Sequence, residues 1–136
     1  MSSTSLKIRA PRRPAGTLYR GREGMWSWVL HRITGATIFF FLLVHVLDTA
    51  LVRVSPQTYN EVIDTYKTPI VGLMEMGLVA ALLYHALNGL RVILIDFWRH
   101  GAKYQRLMLW IVLGVWFAVM IPALGVLGMH MAERFL

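Results

Sequence analysis

The sequence predicts an all-α integral membrane domain of three transmembrane helices, and three observations carry that expectation. Apolar residues gather into runs of bilayer-spanning length, at about 26–52, 70–98 and 107–129. Hydrophobic residues make up 57% of the chain and charged ones only 15%, too few to cover an ordinary water-facing surface. The basic residues lie between the runs, where membrane proteins place them.

The chain divides into a basic tail, 1–24, and a membrane domain, 25–136. The tail carries Lys7, Arg9, Arg12, Arg13, Arg20 and Arg22. It has no apolar stretch of the kind a secretory signal needs. With Pro11 and Pro14 it makes a poor amphipathic transit helix, so it reads as a cytoplasmic tail.

The first run, Trp26 to Val52, has no charge through Ala36–Val44. The second runs from Ile70 to Trp98 and the third from Leu107 to Met129. At 1.5 Å per residue each spans a hydrocarbon core of about 30 Å. Between the first two, Ser55-Pro56 and Thr68-Pro69 are turn signals, and Tyr59–Ile63 between them fits a short interfacial helix. The link 99–106 holds Arg99, Lys103 and Arg106 with no acid, whereas Arg53 and Lys67 are offset by Glu61 and Asp64. The tail and the 99–106 link therefore belong on the cytoplasmic side, with the N-terminus in and the C-terminus out. A bacterial plasma membrane suits this pattern better than a mitochondrial inner membrane. Trp26, Trp28, Tyr66, Trp98 and Tyr104 fall at run ends, as interfacial aromatics do, and Pro122 inside the third run marks a site for a kink.

Composition also excludes chemistry. The chain has no cysteine, so disulfides, iron–sulfur ligation and thiolate catalysis by its own residues are ruled out. The net charge of +7 is explained by the membrane flanks, with no basic element left over for nucleic acid. No nucleophile–base set, phosphate-cradling loop or pair of carboxylates on one face is present. Catalytic residues are expected to be absent.

Polar groups inside a span are costly and mark function. His85 lies mid-span, on the stripe Leu78, Ala81, His85, Gly89, Val92, Asp96. Ala81 and Gly89 flank it by a turn each way, which suits a flat macrocycle approaching an axial imidazole. The same pattern suits a histidine hydrogen-bonded across closely packed helices. His31 and Arg32 open the first span with Ser27, Thr34 and Gly35. An imidazole and a guanidinium at that depth suit a carboxylate or carbonyl oxygen, and an arginine at a helix end also snorkels to the interface. His45 stands fourteen residues after His31, about 21 Å along the helix on nearly the same face. It fits a second haem ligand, an in-chain partner for His85, or a structural histidine held by Asp48. Arg91, off the His85 face, and Asp96, on it, suit pairing with a neighbouring subunit or proton entry.

At these residues the chain resembles the cytochrome b556 subunit of succinate dehydrogenase. The matching motifs are Leu30-His31-Arg32-Ile33-Thr34-Gly35, preceded by Ser27, and Tyr84-His85-Ala86-Leu87-Asn88-Gly89-Leu90-Arg91, followed by Asp96. The resemblance covers about residues 20–130. It implies that the three helices form half of a helix bundle binding haem b, completed by a sister membrane-anchor subunit that supplies the other iron ligand. His85 is then an axial ligand, and His31 and Arg32 lie at the haem propionates. Arg32 and Ser27 border a site for a quinone, ubiquinone or menaquinone, near an iron–sulfur subunit that is fed by a flavoprotein subunit. Asp96 matches the family's acid and is placed for proton entry. The family serine stands three residues before the histidine, where this chain has Trp28. Ser27 is one residue earlier, a rotation of about 100°, so Trp28 is the rival quinone contact. Alternatives to an anchor of succinate dehydrogenase are the anchor of a fumarate reductase, a haem-free membrane scaffold, and a self-contained cytochrome using His45 and His85.

Overall fold

The computed structural model describes residues 23–136, so the basic tail lies outside the described residues except for its last two positions. Four helices follow in order: α1 (Glu23–Val54), α2 (Pro56–Thr65), α3 (Pro69–Phe97) and α4 (Gly101–Phe135). Among the described residues there is no strand. α1, α3 and α4 are each long and apolar enough to cross a membrane. The fold is the all-α membrane class that the sequence predicts.

The two turn signals of the first link prove to be helix starts. Ser55 caps α2 by accepting from the Thr58 amide at 3.3 Å, with Pro56 in the first turn. Thr68 caps α3 in the same way, accepting from the Val71 amide at 3.3 Å ahead of Pro69. A hydroxyl followed by proline is the natural opening of a helix. The hydroxyl satisfies an orphan amide, and proline lacks the amide that would have needed a partner. The interfacial helix accordingly extends to ten residues.

The second link is shorter than its polar residues suggest. The chain reverses within Trp98–His100, and Lys103 and Arg106 already ride on the first turns of α4. The reversal is closed by the Gly101 amide donating to the Trp98 carbonyl at 2.9 Å. Gly101 is buried, and a Cβ there would stand 2.6 Å from the Ile95 Cα and 2.9 Å from two backbone oxygens. Only glycine admits so close an approach of two backbones. Pro122 lies within α4, which continues through it to Phe135.

α3 is the central element, packed against α4 on one side and α1 on the other, with little direct contact between α1 and α4. The interior is small and mixed. Tyr84, Leu109, Val112 and Met120 are buried together with the polar Ser27, Asn88 and Arg91. Large apolar side chains instead line the outside, among them Phe39, Phe40, Leu90, Phe97 and Ile121. That inversion suits lipid as solvent, where apolar surface drives nothing between helices and association rests on packing and interhelical hydrogen bonds. One such bond joins α4 to α3, from the Trp116 indole nitrogen to the Ala80 carbonyl at 2.9 Å.

Gly101→Ala is expected to destabilise the fold by about 1–3 kcal/mol, the usual range for overpacking, because its new methyl meets backbone rather than a movable side chain. Gly114→Ala, where a Cβ meets nothing within 4 Å, is the control. The thermal midpoint of the detergent-solubilised protein should fall for the first and hold for the second.

Candidate functional site

Two polar layers lie one above the other where α1 crosses α3. The lower layer is built on Arg91. Its Nη1 donates to the Ser27 hydroxyl at 3.1 Å and to the Asn88 side-chain oxygen at 3.3 Å. Its Nε donates to the Gln105 carbonyl of α4 at 3.2 Å. The Ser27 hydroxyl in turn donates to Asn88 Oδ1 at 2.8 Å, and the Tyr84 hydroxyl donates to the Ser27 carbonyl at 3.1 Å. Arg91 is only 6% exposed, and no carboxylate pairs with it among the described residues. Its charge is spread over three neutral oxygens from three helices.

This layer overturns the expectation that Arg91 faces a neighbouring subunit. Tyr84, Asn88 and Arg91 form a polar stripe at i, i+4 and i+7, one residue out of register with the stripe through His85. Ser27 of α1 meets the first stripe, and of the second His85 faces α1.

The upper layer is a pair of imidazoles. The rings of His31 and His85 stack with centroids 4.1 Å apart and planes within 6°. His85 Nδ1 lies 3.2 Å from the His31 carbonyl and 3.4 Å from the Thr34 hydroxyl. Of the two facing glycines, Gly35 is the one the stack requires. A Cβ on Gly35 would lie 2.9 Å from the His85 ring, and one on Gly89 would lie 3.6 Å from the His31 ring. The space beside Gly89, expected to admit a macrocycle, is thus faced by His31. Each helix gives up a side chain where the other presents an imidazole.

The nitrogens divide into engaged and free. With Nδ1 facing a carbonyl, His85 carries its proton there and keeps the Nε2 lone pair for a ligand. Among the described residues no hydrogen bond engages that Nε2. His31 Nδ1 is buried and without a partner, alone in this among the buried side-chain nitrogens and oxygens of the described residues. His85 Nε2, likewise unbonded, is therefore not sealed in. No cluster of three or more histidine and carboxylate side chains converges among the described residues. A bare ion has no cage here, whereas a porphyrin iron asks of the protein only its axial donors. The residues fit that group.

The remaining expected site residues are dispersed. Arg32 lies outside the stack, its guanidinium 4.5 Å from the centre of the exposed Trp28 ring. Ser27, turned inward to Arg91, and Trp28, turned outward to Arg32, therefore occupy different faces of α1. A single pocket using both Ser27 and Arg32 from this chain is not what α1 presents. His45 is exposed and stacks on Phe41 at 5.4 Å. It stands ten residues beyond Gly35, the position that faces His85, and so about 15 Å along α1. The two histidines lie at different depths, and the in-chain clamp is lost. Asp48 makes no hydrogen bond to His45 among the described residues, and it accepts from the Tyr66 hydroxyl at 3.5 Å. Asp96 is exposed, with no hydrogen bond or ion pair among the described residues. Glu23 and Arg106 pair at 2.7 Å, which brings the start of α1 beside the start of α4.

With this geometry in view, the comparisons with known proteins bear on identity. The family model for the succinate dehydrogenase/fumarate reductase transmembrane subunit matches residues 7–122. The chain belongs to that family. It is 67% identical over 135 residues to the succinate dehydrogenase 2 membrane subunit SdhC of Mycobacterium tuberculosis, covering 99% of both chains. It is 35% identical over 74 residues to the succinate dehydrogenase hydrophobic membrane anchor subunit of Halobacterium salinarum, covering 54% of this chain and 57% of that one. A similar anchor subunit of Archaeoglobus fulgidus is 30% identical over 70 residues, covering 52% and 60%. The chain is thus an integral membrane subunit of an oxidoreductase complex, and the bacterial relative points to the plasma membrane.

Arg91→Met should lower the thermal midpoint of the complex by the equivalent of about 1.5–3 kcal/mol, the worth of hydrogen bonds to a charged group. Arg91→Lys should not restore it, because an ammonium on a single-point tip does not reach Ser27, Asn88 and Gln105 together.

Proposed function

We propose that this chain is a membrane anchor of succinate dehydrogenase that holds haem b through His85 and helps form a quinone-reducing site. The observation that carries the reading is the state of His85. Its Nδ1 is held by α1 and its Nε2 is unbonded, which is the arrangement of an imidazole ready to ligate iron. The 67% identity to a succinate dehydrogenase membrane subunit supports oxidation of succinate over fumarate reduction.

When bound, haem b would supply a one-electron redox centre. His85 would hold its iron together with a histidine of a sister anchor subunit. His31, whose buried Nδ1 is unpartnered among the described residues, and Arg32 are the side chains we assign to the propionates. Arg32 over Trp28 is a cationic, aromatic patch on the outward face of α1. There it can meet a quinone carbonyl in a pocket shared with neighbouring subunits and hold its developing negative charge. Trp28 is the quinone contact in place of Ser27, whose hydroxyl is committed to Arg91 and Asn88. Asp96, exposed near the end of α3, can pass protons toward that pocket, and His45 serves lipid-facing packing against Phe41. Electrons reach the quinone from a flavoprotein subunit by way of an iron–sulfur subunit. The ends of α1 and α4 brought together by Glu23 and Arg106 face the cytoplasm, where those subunits dock.

The visible spectrum of the purified complex tests this. A reduced b-type band present in wild type should disappear in His85→Ala. Arg32→Leu should keep the band but lose roughly tenfold or more of its quinone reductase rate, as removal of one charged hydrogen bond does. A colourless wild-type complex would leave only a scaffold.

A further inference from the structure

We infer that His31 is a positioning residue that fixes the ring plane and the tautomer of His85. The inference rests on the haem reading above and adds to it a role for α1 that a propionate contact does not require. Two sets of contacts hold the His85 ring from about one turn of α1, and a third position is left clear for it. The His31 ring lies parallel to it at 4.1 Å, which opposes rotation about the bond to the ring. The His31 carbonyl at 3.2 Å and the Thr34 hydroxyl at 3.4 Å take the Nδ1 proton. Gly35 offers no side chain where a Cβ would press to 2.9 Å on Cε1. The Thr34 hydroxyl is itself held in place, donating to the Leu30 carbonyl at 2.8 Å and the His31 carbonyl at 3.0 Å. The ring is therefore held on its face and at Nδ1, with clearance at Cε1, leaving Nε2 as the atom free to bind.

An axial imidazole overlaps the iron orbitals according to its ring plane, and the donation from Nδ1 raises its basicity. His31 and Gly35 thus set the electronics of a metal that neither of them ligates. Substitution of His31 separates this role from a propionate contact. Phenylalanine keeps a flat ring for the stack and removes both imidazole nitrogens, whereas leucine removes the stack as well.

The test uses the intact complex, with the haem content, the low-spin ferric paramagnetic resonance spectrum and the midpoint potential of wild type, His31→Phe, His31→Leu and Gly35→Ala. His31→Phe should keep the wild-type g-values. His31→Leu and Gly35→Ala should shift the largest g-value and move the potential, with haem still bound. If both retain wild-type g-values and potential, His31 does not position the ligand. If His31→Phe shifts as far as His31→Leu, the nitrogens matter and the stack does not, which also overturns the inference. Should His31→Leu fail to assemble, His31→Phe and Gly35→Ala decide the matter alone. A wild-type complex without haem overturns the underlying reading as well, and is told apart by its spectrum before any variant is made.

Discussion

Everything in the helix arrangement turns on a guanidinium taken out of water. Removing Arg91 from solvent costs several kcal/mol in effective terms unless its hydrogen bonds are met. Three helices meet them, through Ser27 of α1, Asn88 of α3 and the Gln105 carbonyl of α4. In lipid, apolar contact alone gives helices no preferred partner or register. A cation that must be satisfied from three sides gives both. The crossing of α1 over α3 is fixed there, and the imidazole stack stands one turn above it.

The stack shows how register becomes chemistry. Once Ser27 is pinned, His31 and Gly35 follow on the same face of α1 at intervals of four. Once Asn88 is pinned, His85 and Gly89 sit beside it on α3. Glycine then faces histidine in both directions, and a methyl on Gly35 would press on the His85 ring at 2.9 Å, whereas one on Gly89 would meet the His31 ring at ordinary contact distance. The ligand geometry is thus inherited from the polar layer beneath it, not built independently.

Much of this was legible in the sequence, and the limits are instructive. Hydropathy located three crossing helices because the bilayer imposes one length on every span. His85 and His31 were visible as polar groups at depth. The second polar face was not. The stripe through Ala81, His85 and Gly89 looks like the functional one. The stripe a residue away, Tyr84, Asn88 and Arg91, was passed over because Arg91 lies off the His85 face and suited pairing with a neighbouring subunit or proton entry. Only the coincidence with Ser27, 61 residues from Asn88 in the chain, gives that stripe its meaning, and such a coincidence is tertiary information. Asp48 was read with the nearest histidine along its own helix, but Tyr66 reaches back to it from beyond α2. Gly89 was read as room for a ligand, when the room is filled from the opposite helix.

The directional bonds between α4 and its neighbours end at Trp116. Beyond it, Leu127, Met131 and Phe135 face Gly72 and Met76 across a cavity of about 280 Å³, with Met131 touching Gly72 as its nearest anchor. Side-chain hydrogen bonds that cross between helices are thus concentrated toward the end where Arg91 sits, and the distal third of α4 meets α3 without one among the described residues.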